Sequence, residues 1–227
     1  MALPLVKTWP NLWVIRWSWL RSLLDLQFAS IRQALAAFPR TPRRLVLDFG
    51  AGTSPWKNVL PPHQMLLTVD SGGGADYLSL EEIDPSLRFD LILLAEVLEH
   101  VAEPEELLRT LKKRLSPTGE LWITVPLLAR EHPAPDDFGR WTRQGLRRLF
   151  DRAGLETLEI RARGTDIAAL AHQFNYVTFR SWLSPSTWIL GLILLHALPF
   201  WWIVGALALR FDWGRDDGPL GYAARAR

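Results

Sequence analysis

Leu45-Val-Leu-Asp-Phe-Gly-Ala-Gly-Thr-Ser54, Leu66-Leu-Thr-Val-Asp70 and Phe89-Asp-Leu-Ile-Leu-Leu94 decide the fold. Each is a short apolar run ending on a small, polar or acidic residue, and loop or helical sequence separates them. Strands of a parallel sheet read this way, because helices cover both faces and leave the strands buried on each side. The first run passes into a glycine-rich turn, and Asp70 follows Gly50 by twenty residues. That spacing is the layout of an adenosine-containing ligand at the carboxyl edge of a doubly wound α/β sheet.

Gly50-x-Gly52 alone would also suit a dinucleotide dehydrogenase. Three details point elsewhere. Asp48 precedes the first glycine by two residues, where it would repel a pyrophosphate. The third glycine of a dinucleotide fingerprint is missing, and Thr53-Ser54-Pro55 stands in its place. Ser54 as N-cap and Pro55 as first helical residue predict a helix starting there. Finally, Ala95-Glu-Val-Leu-Glu-His100 follows the third apolar run directly.

Together these residues resemble the class I S-adenosylmethionine-dependent methyltransferases, in particular the small type 11 group. The resemblance covers about Arg44 to Gly164. It also includes Leu115-Ser-Pro-Thr-Gly-Glu-Leu-Trp-Ile-Thr-Val-Pro126 and His132-x-x-x-Asp136-Asp-Phe-x-Arg140-Trp-Thr. It implies a Rossmann-like, seven-stranded doubly wound sheet and S-adenosyl-L-methionine as cofactor. Asp48, Gly50, Ala51 and Gly52 would lie against the methionine part, Asp70 would bind the ribose hydroxyls, and Asp76 the adenine amino group. Ser71, Tyr77 and Glu96 complete the implied cofactor set. Ser54 in place of the third glycine is a departure from the family pattern. The chemistry agrees: a sulfonium carries positive charge and no phosphate, so acids are tolerated and glycine permits close backbone approach. An ionised Asp70 can accept two hydroxyl hydrogen bonds.

The chain has 227 residues and no cysteine, which excludes a disulfide framework and thiolate chemistry and suits the cytoplasm. Its net charge is +2, unevenly spread: +6 over residues 1–44, −7 over 45–160 and +3 over 161–211. The segment holding the expected site is acidic, so nucleic acid is not an expected partner. Of twelve tryptophans, only Trp56, Trp122 and Trp141 lie in that segment. The others cluster in the basic flanks, a combination that a membrane–water interface selects.

The expected domain organisation is an N-terminal Trp-rich amphipathic segment, 1–43, followed by a methyltransferase domain, 44–227. Trp13, Trp17, Leu20, Leu24, Phe28, Ile31, Leu35 and Phe38 recur at helical spacing. Such a helix either packs on the sheet or lies on a membrane surface. Arg16 and Arg21 argue against a signal peptide. Trp188 to Leu209 runs 22 residues without a charge, long enough to span a bilayer. However, 220–226 resembles the family's antiparallel last strand, so the chain must return to the side it left, and Pro199 splits the run. Residues 166–211 are therefore expected to form an apolar helical insertion between strands six and seven, dipping into one leaflet. A true span and a homodimer interface are the alternatives.

His132, Asp136, Asp137, Arg140 and Trp141 are expected on a loop facing the transferred methyl. His132 and Asp136 are the candidate catalytic residues, His132 as base because imidazole titrates near neutrality. Arg140 would hold an anionic group of the acceptor and Trp141 would stack on a ring. Glu96, Glu99 and His100 would share a helix face, but no further cluster at metal-ligand spacing accompanies them, and no metal is expected. The reading is a cytoplasmic enzyme, peripheral or monotopic on the inner membrane, methylating an amphipathic or lipid-linked small molecule. Its competitors are a soluble small-molecule methyltransferase with an oligomerising insertion and a non-catalytic scaffold that kept the fold.

Overall fold

The computed structural model describes residues 25–131, 136–183 and 185–227. Residues 12–24 of the expected N-terminal amphipathic helix lie outside them, as does His132. The described chain forms two compact units. One holds residues 31–163 and 219–227, the other residues up to 30 and 164–218.

The first unit is a six-stranded mixed sheet. Its strands are β1 (Arg43–Phe49), β2 (His63–Val69), β3 (Phe89–Ala95), β4 (Leu115–Pro126), β5 (Thr157–Arg163) and β6 (Gly221–Ala226), ordered β2-β1-β3-β4-β6-β5. β1 to β4 are parallel, and β6 runs antiparallel to both β4 and β5. The central strands carry the apolar runs of the sequence, and Leu91, Ile92, Leu93 and Leu94 are all fully buried. On one face Phe38, just beyond helix α1 (Leu26–Ala36), meets Trp122 edge-on with ring centroids 5.0 Å apart. On the other, Leu108 and Leu111 of α2 (Pro104–Lys112) and Leu146 and Phe150 of α3 (Arg143–Arg152) close the core. Both helices have sequence-coded starts. Pro104 opens α2 with Glu105 and Glu106 in its first turn, and Thr142 Oγ1 accepts from Gly145 N at 3.1 Å at the head of α3.

Among the described residues six strands are formed, where seven are expected. Between β2 and β3 the described chain adds only an isolated parallel bridge, between Val69 and Tyr77. Gly72-Gly-Gly74 turns the chain here, with φ of 84° at Gly73 and Gly74, and a short 3-10 turn begins at Leu80. Too few residues remain between them for a ladder. The helix expected from Ser54 is also absent: residues 50–62 run as turns. Ser54 has φ 47° and its hydroxyl donates to Asp48, so its oxygen is not turned to a helix end. Pro61 and Pro62 then bar a helix from extending.

The second unit is helical. It comprises α4 (Asp166–Leu183), α5 (Trp188–Leu195) and α6 (Leu198–Phe211). Small residues allow close packing within it. A Cβ on Gly205 would lie 2.5 Å from Leu26 Cδ1 and 2.9 Å from Ala171 Cβ, and one on Gly191 would lie 2.2 Å from the Trp182 backbone nitrogen.

Candidate active site

The carboxyl ends of β1 and β2 make the first half of the site. At the end of β1, Gly50 N and Ala51 N both donate to Val69 O, at 2.8 and 3.0 Å, which ties the glycine-rich turn to β2. Gly50 has φ 72°, and a Cβ there would meet Val97 Cγ2 at 2.5 Å, so only glycine fits. Gly52 also has positive φ, but nothing lies within 4 Å of where its Cβ would stand. Its amide donates to Asp70 Oδ2 at 2.7 Å, while Gly72 N donates to Asp70 Oδ1 at 2.8 Å. Asp70 is thereby fixed between the two glycine-bearing loops.

Asp48 is 1% exposed and accepts a 2.7 Å hydrogen bond from Ser54 Oγ. Burial raises its carboxyl to about pKa 6; the Ser54 hydrogen bond opposes the shift and the charge of Asp70 adds to it. Asp76 is exposed and braces its loop against β2: Oδ2 accepts from both Thr68 N and Thr68 Oγ1 at 2.9 Å, and its own amide donates to Thr68 Oγ1. Ser71 is exposed and Tyr77 is half-buried against the core.

The second half lies at the carboxyl ends of β3, β4 and β5. Glu96 follows β3 with φ 57°, a left-handed conformation uncommon outside glycine, asparagine and aspartate. Its amide donates to Thr124 O at 3.0 Å, and Oε1 accepts from Thr124 Oγ1 at 2.9 Å. Arg163, from β5, pairs with Glu96 Oε1 at 3.0 Å. A single 3-10 turn, Leu98–His100, replaces the helix expected here. Glu99 in it is fully buried, and burial together with the charge of Glu96 pushes its carboxyl well above the usual range.

Asp136, an expected catalytic residue, is exposed, and its carbonyl meets His100 Nδ1. Phe138 N donates to Glu99 O at 2.7 Å, so two contacts pin this loop to the 3-10 turn. Arg140 grips Asp137 with both terminal nitrogens, the Nη2–Oδ2 distance being 2.6 Å, and also donates to the carbonyls of Gly139 and Arg130. The helix that follows is capped by Thr142. Trp141 packs half-buried against the core.

A family model described as a methyltransferase domain matches residues 20–160. The chain belongs to this family of methyltransferases. It is an S-adenosylmethionine-dependent enzyme with the class I fold. No curated protein matches it. Solved structures share the methyltransferase's architecture at low identity. One is the O-methyltransferase of a trans-AT polyketide synthase from Brevibacillus brevis, in complex with S-adenosyl-L-homocysteine. It is 14% identical, with a TM-score of 0.54 over 96% of this chain and 76% of that one. Another is the methyltransferase partner of the Trm112 activator from Haloferax volcanii, at 19% identity and TM-score 0.51 over 63% and 75% of the two chains. The 4+2 cyclase SpnF, at 19% and 0.50 over 88% and 81%, has the same fold.

The residues of the methyltransferase fit its cofactor. The clear space at Gly52 admits close approach to the backbone, and the buried Asp48 beside Asp70 makes a negative recess suited to a sulfonium and an ammonium rather than to phosphate. The sequence reading missed Arg163 and Thr124. Arg163 ends a strand reading Ile160-Arg-Ala-Arg163, and nothing in that alternation separates it from Arg161, whose side chain is about one-third exposed.

Proposed function

We propose that the methyltransferase works on a membrane surface, on the cytoplasmic side, and methylates an amphipathic or lipid-linked acceptor that resides there. The carrying observation is the apolar surface of α5 and α6. Ile189, Ile193, Phe200 and Phe211 are each at least 59% exposed, with Trp188, Leu190 and Ile203 beside them. No charged residue interrupts Trp188 to Leu209, and Arg180 and Arg210 flank the run. No single described helix is long and apolar enough to cross a membrane, whereas α5 and α6 together form an apolar pair bent by 61°. A bent pair flanked by arginine and tryptophan suits insertion into one leaflet.

Asp70 would hold the ribose of the cofactor, Asp48 would face its positively charged methionine end, and Asp76 its adenine. When bound, the cofactor supplies an electrophilic methyl group. The chain's own part is positioning: the turn at Gly50–Gly52 seats the donor, and the 136–141 loop, with Trp141, bounds the acceptor. Arg140 is already matched by Asp137, which argues against its use as an anion clamp.

Flotation of the full-length protein with vesicles of mixed zwitterionic and anionic phospholipid tests this. Binding that survives high salt is expected. A protein that stays with the aqueous phase and sediments as a clean dimer would favour the reading in which the same surface joins two copies.

A further inference from the structure

Glu96, Glu99 and Arg163 form a cluster that packing does not account for. Arg163 is 1% exposed; its Nη2 serves Glu96 and Val125 O, at 2.9 Å to the latter, while Nε and Nη1 have no hydrogen-bond partner among the described residues. Glu99 is 0% exposed, and both its carboxyl oxygens lack a hydrogen-bond partner among the described residues, His100 Nε2 standing 4.0 Å from Oε1. Buried polar groups are normally satisfied, and unsatisfied ones gather where function requires them. Charge balance makes the same point. Arg140 is matched by Asp137 and Arg163 by Glu96, which leaves Glu99, among the described residues, with His100 Nε2 at 4.0 Å from its Oε1 and no hydrogen-bonded counter-ion.

Glu96 is the member that reaches solvent, its side chain 25% exposed. Thr124 Oγ1 donates to its Oε1, Arg163 Nη2 lies 3.0 Å from Oε1 and donates to Oε2 at 3.2 Å, and its backbone is kept left-handed by the bond to Thr124 O. A carboxylate fixed in this way, beside a second carboxyl whose environment differs from its own, is an arrangement that assigns acid–base roles.

We propose that Glu96 is the base of the methyl transfer, with Arg163 and Glu99 as positioning residues, and that the acceptor therefore reacts through a hydroxyl or amine that carries a proton. This assigns Glu96 to the acceptor rather than to the cofactor, and it rests on the methyltransferase reading above. The acceptor's lone pair forms the new bond to the methyl carbon as the carbon–sulfur bond breaks, and that bond's electron pair stays on sulfur. The acceptor's proton passes to a carboxylate oxygen of Glu96 and from there to solvent. A carboxylate or phosphate acceptor, which is already ionised, would need no such base.

The test uses full-length protein, methyl-labelled S-adenosylmethionine and a detergent-dispersed total extract of the cells that make it. The expected product keeps its label in mild alkali, as ethers and methylamines do. Glu96→Gln should bind the cofactor as the wild type does by calorimetry, yet transfer label at least a hundredfold more slowly, and Glu96→Asp should recover part of the rate. Arg163→Gln should lower kcat while leaving cofactor affinity by calorimetry unchanged, since it removes the group that orients Glu96, and Arg163→Lys should recover part of the rate. An alkali-labile methyl ester as sole product, or a Glu96→Gln rate within threefold of the wild type, would overturn the assignment. Alkali-stable, Glu96-dependent label confined to the aqueous phase would instead uphold this assignment and sink the lipid-linked acceptor.

Discussion

Asp48 carries a burden that a bound cation would lift. Its folded carboxyl sits near pKa 6, above the 3.8 of an unfolded chain, because burial penalises the anion more than the Ser54 hydrogen bond favours it. A raised acid favours the folded state only while protonated, so near neutral pH the ionised group opposes folding by about 3 kcal/mol. Asp48→Asn should therefore raise the melting temperature of the cofactor-free protein while weakening S-adenosylmethionine binding. In the wild type, affinity should fall as pH drops through about 6, where the anion that attracts the cationic cofactor is lost; calorimetry across that range reads it. The two glycines of the turn should separate stability from binding. Gly50→Ala meets both a positive φ and Val97 Cγ2, and should lower stability by more than the roughly 1–2 kcal/mol of the backbone alone. Gly52→Ala meets open space, so it should lose only that backbone part while lowering cofactor affinity further, because its Cβ would project into the room kept for the ligand.

At the scale of elements, strand ends and strand pairs hold the sheet in register. Glu120 on β4 accepts from Arg225 of β6 at 2.9 and 3.0 Å and from its neighbour Trp122 at 3.0 Å, and pairs with Arg43 of β1 at 3.2 Å. Burial works against its anion, but the hydrogen bonds from Arg225 and Trp122 outweigh it and hold the carboxyl down at about 2. A depressed acid contributes stability that is complete above its unfolded pKa near 4.5 and disappears as pH falls toward the folded value. Glu120→Gln should cost roughly 3 kcal/mol at neutral pH and flatten acid unfolding between those limits, measured by denaturant titration. The apolar runs made β1, β3 and the core of β4 readable, since a doubly covered strand has no polar face to hide. The antiparallel last strand was readable only through family resemblance, because Gly221 to Ala226 is short and alanine-rich, without the β-branched residues that mark a strand. Local chemistry misled at Ser54, where a good capping residue turned to a carboxylate instead. Glu99 could be seen in its motif, but that its oxygens lie buried without hydrogen-bond partners among the described residues is a property of three-dimensional packing that no spacing encodes.

At the scale of the molecule, the acidic sheet segment and the apolar helices α5 and α6 differ in what they offer to solvent. Ile193 and Phe200 are 63% and 62% exposed, so replacing both by asparagine and serine should leave thermal stability nearly unchanged. If the surface enters lipid, the same pair of substitutions should weaken vesicle partitioning by roughly a hundredfold or more, as two large side chains each lose about 1.5–3 kcal/mol of burial. Equal partitioning of variant and parent would remove the apolar helices from the membrane. The expected domain limits touch the same region, and the helices between β5 and β6 are what the uncharged run became.

The position of β6 also sets an order in time. β5 pairs only with β6, and β6 lies between β4 and β5 although the whole helical segment separates β5 from it along the chain. Leu121 must find Ala226 across about a hundred residues, a closure whose entropy is paid before its contacts form. During synthesis, the most apolar helices of the protein emerge while the sheet is still open and β5 has no neighbour. Whatever receives those helices first therefore acts on a half-built enzyme, and Arg163 meets Glu96 only when the last pairing is made.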